Sequence, residues 1–198
     1  MTQEFVYSTE KVVKESLQSG PKFYPYDLVN GNALILRKSI NAFDFADLKN
    51  DPSEIASRLI ETANKYKFYS VTANQCGLPH RVFVAGSEEE FVAFFNPEII
   101  TESIETVLMK EYDLSNPGLV LNIKRPKSVT VQYQDYNSEI KVLQVDGLTA
   151  RIVQQNIDRL NGIDFKTKVS EFVLARSIKS AEKRIKVYVK RNMIAKRA

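Results

Sequence analysis

The chain has 198 residues, 43% of them apolar, and a formal net charge of +4. That length fits one domain with modest extensions, the apolar share supports a core, and no uncharged apolar run reaches the ~18 residues that a membrane span needs. A single cysteine, Cys76, excludes an internal disulfide framework and fits a reducing compartment, so the expectation is a cytoplasmic protein with no membrane partner.

The opening stretch, 1–14, is polar and charged and lacks the pattern of a secretion signal. A short helix is expected over 9–18, stopped by Ser19-Gly20-Pro21. Lys22-Phe23-Tyr24-Pro25-Tyr26-Asp27-Leu28 follows, too stiff for helix and too apolar for a free linker. Either this arm packs on its own domain, or Phe23, Tyr24 and Tyr26 reach into a partner. The short apolar run 33–36 is expected as a strand or a buried extended segment. Asp51-Pro52-Ser53-Glu54 combines an N-cap acid, proline at the first helical position and glutamate three residues after the cap. It predicts a helix ending near Lys67, with Ile55, Leu59, Ile60 and Ala63 inward. Strands are expected over 81–85 and 91–95, with a turn at Gly86-Ser87 and an end at Asn96-Pro97, then over 107–112, 128–136 and 140–145, with a hairpin turn at Asn137-Ser138.

Next comes the stretch 148–165, around which the chain is organised. Ala150, Val153, Ile157 and Leu160 recur at helical spacing, and Gly162 stands where the helix should stop. A last helix over 169–186 carries Leu174, Ile178, Ala181 and Ile185 on one face. Strands wrapped round a buried central helix, with flanking helices, make an α+β domain. The divisions expected are an arm over 1–32, a domain over 33–168 and a basic helix and tail over 169–198. From 176 to 198 there are nine Lys or Arg against Glu182 alone, while the rest of the chain holds 19 basic and 23 acidic residues. Such a tail is either a solvated face or a docking surface for nucleic acid or an acidic protein. Its candidate contact residues are Lys179, Lys183, Arg184, Lys190 and Arg191.

On the central helix Gln155 and Arg159 are four apart and share a face. In a His-Glu-x-x-His zinc-hydrolase helix those positions would be histidines, and Asn156 would be the glutamate.

Three ordered blocks then make the chain resemble the peptide deformylase family over roughly 33–166. Its first block, Gly-x-Gly-x-Ala-Ala-x-Gln, is similar to Phe68-Tyr69-Ser70-Val71-Thr72-Ala73-Asn74-Gln75. The second, Glu-Gly-Cys-Leu-Ser, is similar to Glu111-Tyr112-Asp113-Leu114-Ser115. The third, Gln-His-Glu-x-Asp-His-Leu-x-Gly, is similar to Gln154-Gln155-Asn156-Ile157-Asp158-Arg159-Leu160-Asn161-Gly162. The resemblance implies a fold with strands around a central helix. It also implies a divalent metal held by one cysteine and two histidines, a helix glutamate for proton transfer, and a glutamine with a leucine backbone N–H to hold the substrate's carbonyl oxygen.

Here those positions hold Asp113, Gln155, Arg159 and Asn156, with Gln75 and Leu114 retained. A guanidinium stays protonated and repels a cation, and an amide transfers no proton near neutral pH. His80 and Cys76 lie at no family ligand position. The expectation is therefore a degenerate former site with no cofactor, in which Asp113 and Arg159 form an ion pair with Gln155 beside it. Gln75 is expected to satisfy local backbone, Arg151 and Asp158 to form an ion-pair set, and Tyr112 and Phe68 to add bulk at the pocket mouth. Gly147-Leu148-Thr149-Ala150-Arg151 looks like phage versions of the family. The functional expectation is a catalytically inactive structural or assembly subunit contacting other protein subunits, in a tailed-phage virion at the tail or baseplate. The alternatives are a ribosome-associated nascent-chain or RNA binder, and an atypical deformylase.

Overall fold

The computed structural model describes residues 23–87 and 90–195; the helix expected over 9–18 lies outside them. Its strands are β1 (Ser70–Thr72), β2 (Val82–Ser87), β3 (Glu90–Glu102), β4 (Thr106–Tyr112), β5 (Val120–Pro126), β6 (Ser128–Gln134) and β7 (Ile140–Asp146). The helices are α1 (Pro52–Tyr66), α2 (Gly147–Leu160) and α3 (Glu171–Ala195). Five strands pair antiparallel in the order β1-β2-β3-β6-β7, and β4 and β5 form a separate ribbon.

Strand β2 reads as an unbroken apolar run because both of its faces are covered. Phe83 and Ala85 point into a cluster with Ala150, Val153, Ile157 and Leu160 of α2. Val82 and Val84 point the other way, into a cluster with Ile55, Leu59 and Ala63 of α1. Burying side chains of this size contributes roughly 1.5–3 kcal/mol each, so these two clusters fix how the helices sit on the sheet.

Helix α1 begins as expected: the Ser53 N–H donates to Asp51 Oδ1 at 2.9 Å, and Pro52 takes the first helical position. It ends at Lys67, left-handed at φ 53. Helix α2 ends before Gly162, whose φ is +74. A Cβ there would meet the Lys38 carbonyl carbon at 2.7 Å, so only glycine fits the crossing.

Several expectations are corrected. Residues 33–36 are not a strand: Leu34–Arg37 forms a 3₁₀ turn in which the Leu36 N–H donates to the Ala33 carbonyl at 3.1 Å. Leu36 is buried and Ile35 packs against the core while Leu34 is exposed, so the run anchors the segment without forming a ladder. Strand β3 does not end at Asn96-Pro97. Asn96, left-handed at φ 48, makes a bulge there, and its side chain accepts from the Phe43 N–H (2.6 Å) and donates to the Phe43 carbonyl (3.0 Å) and Gln134 Oε1 (2.9 Å). These bonds hold the bend, and Pro97 falls in the register shift where no ladder N–H is needed. The short strand β1 and strand β5 were not expected. Helix α3 extends to Ala195, beyond the expected 186, because nothing in its sequence breaks it.

The aromatic arm packs on its own domain. The Tyr26 N–H donates to Thr62 Oγ1 at 2.8 Å, and the Arg58 guanidinium lies 3.9 Å from the Tyr26 ring centre. Phe23 and Tyr26 are partly buried, and Tyr24 stays 84% exposed.

Candidate functional site

Three chain segments meet at the site: the 3₁₀ turn Ala73–Cys76 after β1, the turn 113–116 after β4, and the middle of α2. Each has a local reason for its shape. In the first, the Thr72 N–H donates to Gln75 Oε1 at 3.0 Å while the Thr72 side chain accepts from the Gln75 N–H, closing a capping box, and Thr72 Oγ1 also donates to Asn74 Oδ1 at 2.7 Å. In the second, Asp113 Oδ1 accepts from the Ser115 N–H (2.8 Å) and from Asn116 Nδ2 (3.0 Å), an Asx turn.

Asp113 and Arg159 are both nearly fully buried, and Arg159 Nη2 meets Asp113 Oδ2. The ion pair read from the sequence is thus formed. It ties the turn after β4 to α2. Burial pushes the Arg159 guanidinium down to about 10, with the Asp164 carboxylate opposing that shift. At neutral pH the group keeps its charge, and the contacting carboxylate holds it further in that form. Gln155 Nε2 donates to the Tyr112 carbonyl at 2.7 Å, so this neighbour also binds helix to turn. Asn156 Nδ2 donates back to Ile152 within the helix at 2.8 Å. Asn74 Nδ2 donates to the Arg159 carbonyl at 3.0 Å and connects the first turn to the end of α2.

The residues do not fit the metal that the resemblance implies. A divalent ion between positions 113, 155 and 159 would share its shell with a guanidinium and find one carboxylate, already engaged on both oxygens. Among the described residues, no three His, Cys, Asp or Glu side chains gather as metal ligands would. Cys76 is no substitute nucleophile, because burial pushes its thiol up to about 12. His80 is held below its ordinary value by burial, opposed by Asp47, and packs edge-on to Phe43 with ring centres 5.4 Å apart.

Gln75 satisfies local backbone with its carbonyl oxygen, as expected, but that accounts for only half of the amide. Among the described residues neither Gln75 Nε2 nor the Leu114 N–H has an acceptor. Two donors on neighbouring turns are therefore left without an acceptor among the described residues.

Behind the site lies a second charged cluster that sequence reasoning placed only in part. Arg125 grips Glu111 with two bonds, Nε–Oε1 at 2.5 Å and Nη2–Oε2 at 3.0 Å. Arg151 Nη1 meets the same carboxylate at 2.6 Å, and Arg125 Nη1 meets Asp158 at 2.6 Å. Lys168 closes the chain on Asp158 at 3.0 Å. Arg151 and Asp158 do not pair directly, which corrects the expected set; Glu111 and Arg125 stand between them. Burial would lower the Arg125 guanidinium, but the bonds from Glu111 and Asp158 more than offset this and raise it. The signal was present: Leu121, Ile123 and Arg125 alternate on the inward face of β5, so an arginine at the third place needs a buried carboxylate opposite.

Of the candidate contact residues on α3, Lys179 and Lys183 are exposed, and Arg184 donates from Nη2 to the Gly118 carbonyl at 2.8 Å. The side chains of Lys190 and Arg191 lie outside the described residues. No helix among the described residues is long and apolar enough to cross a membrane.

A family model described as polypeptide deformylase matches residues 25–173, a span wider at both ends than the resemblance read from the blocks. A peptide deformylase of Wolbachia pipientis wMel is 31% identical over 160 residues, covering 74% of this chain and 89% of that protein. One from Thermotoga neapolitana is 38% identical over 106 residues, covering 54% of this chain and 65% of that protein. Among solved structures, the Synechococcus elongatus peptide deformylase in complex with actinonin superposes with a TM-score of 0.74 at 26% identity, covering 80% of this chain and 86% of that one. The Thermotoga maritima enzyme gives 0.70 at 30% identity, covering 74% of this chain and 99% of that one. The α+β, deformylase-like fold expected from sequence is the fold found. The expected function is corrected. Relatives at this level of identity are named for an enzyme, which overturns the reading as an inactive structural or assembly subunit of a phage virion, tail or baseplate.

Proposed function

Because this chain belongs to the peptide deformylase family, we propose that it is an atypical deformylase whose site engages the formyl-methionyl ends of peptides. The observation that carries the reading is the pair of donors left without internal acceptors, Gln75 Nε2 and the Leu114 N–H. The resemblance gives these groups to the substrate's carbonyl oxygen, and both positions are retained. Thr72 fixes the Gln75 carbonyl oxygen, which leaves the amide nitrogen as the end that can serve a ligand. Preset donors of this kind bind a carbonyl oxygen without reorganising, and more strongly as charge builds on it. Asp113, Gln155 and Arg159 do not make a metal ligand set.

The test is titration of the full chain with a formyl-methionyl peptide, with formate release followed in the same samples. Saturable binding is expected, weakened about tenfold by Gln75→Ala, the equivalent of ~1.4 kcal/mol. Formate release that falls with the same substitution supports the reading. Peptide affinity unchanged by Gln75→Ala overturns it.

A further inference from the structure

We infer that the centre of this site excludes divalent cations because the Arg159 guanidinium, fixed on Asp113, occupies the place of a metal's charge. Both side chains are at least nine-tenths buried, so neither swings into solvent to admit an ion. Both Asp113 oxygens are committed, one to Arg159 and the other to the Ser115 N–H and Asn116 Nδ2. Gln155 offers no vacant anion either, since its amide is neutral and bonded to the Tyr112 carbonyl. A cation entering here would lose hydration and gain one shared carboxylate while lying against a protonated guanidinium, an arrangement with no net attraction.

The pair also performs the mechanical work that a bound ion would do. The Arg159 side chain holds the 113–116 turn, which carries the Leu114 N–H. The Arg159 carbonyl receives Asn74 Nδ2 from the turn that carries Gln75. One residue thus registers both donor-bearing turns on α2. The segment ahead of them adds a strap, with the Val29 N–H donating to the Gln75 carbonyl at 2.8 Å and Gly31 packed so closely on Ser115 that a Cβ would lie 2.4 Å from its carbonyl oxygen. The inference rests on the proposed function only for what the two donors receive; the exclusion of metal stands on the ion pair alone.

The experiment is equilibrium dialysis of the full chain against Ni²⁺, Zn²⁺ and anaerobic Fe²⁺, read by elemental analysis, with thermal unfolding recorded with and without a chelator. Metal content below about 0.1 equivalents is expected, with a midpoint unchanged within about 2 °C by metal or chelator. Near-stoichiometric metal that is lost in Asp113→Ala would overturn the inference. A second arm rebuilds a ligand set with Asp113→Cys, Gln155→His and Arg159→His together. Provided circular dichroism shows this variant folded, uptake of about one equivalent of metal and a chelator-sensitive midpoint are expected. A folded triple variant that takes no metal would overturn the assignment of Arg159 as the excluding group. None of these readouts uses peptide, so their failure is separate from failure of the proposed function.

Discussion

Burying Arg159 against Asp113 makes each side chain depend on the other. Such a pair adds little net stability compared with apolar residues of similar size, because desolvation offsets the attraction. Removing one member is different, since the other remains buried and uncompensated. Asp113→Ala is expected to cost about 3–5 kcal/mol in urea unfolding, and Asp113→Ala with Arg159→Met clearly less than the sum of the two single losses. Additive losses would mean that the two groups do not share an interaction. The Glu111 cluster carries the same logic to a larger set. One carboxylate there faces two guanidinium groups, and Arg151 Nε is buried without a partner among the described residues. These compensations are why a charged interior persists behind a site that lacks its family's metal ligands.

At the scale of elements, the end of α2 is where local backbone and long-range packing coincide. Gly162 needs a left-handed φ and also leaves no room for a Cβ against Lys38 and Ser39. Gly162→Ala is therefore expected to destabilise by roughly 1–3 kcal/mol or more, seen as a lower urea midpoint with an unchanged slope. A loss of only a few tenths would show that the crossing can relax. The α2 stop was legible in the sequence, because glycine after a periodic helix is a local signal. The bulge at Asn96 was not legible. Asn-Pro ordinarily ends a strand, and only contacts with Phe43 and Gln134, far away in sequence, allow the chain to continue. The 33–36 run failed for a similar reason: apolar content gives burial but does not supply a neighbouring strand.

For the molecule as a whole, His80, the chain's single histidine, is a side chain whose protonation near neutrality bears on stability. Burial against Phe43 lowers the His80 value in the folded state below its ordinary 6.5. Between that folded value and 6.5 the unfolded chain binds more protons, so stability is complete above 6.5 and declines as pH falls through this window. His80→Gln is expected to flatten the profile as pH falls below 6.5, measured by urea unfolding at each pH. An identical slope in the variant would assign the response to other groups.

What the sequence by itself determined were the features written in short-range chemistry: the cap of α1, the face and stop of α2, the α+β class and the family. It also determined that Asp113 and Arg159 carry opposite charges at positions the family brings together. Only the tertiary structure decided how those charges are used. It placed Asp113 in an Asx turn, inserted Glu111 and Arg125 between Arg151 and Asp158, and left Gln75 Nε2 and the Leu114 N–H without acceptors among the described residues on adjacent turns. The reason is physical. Periodicity and caps are set by neighbours within a turn or two, whereas the buried polar bonds that join one element to another reach partners 14 to 85 residues away.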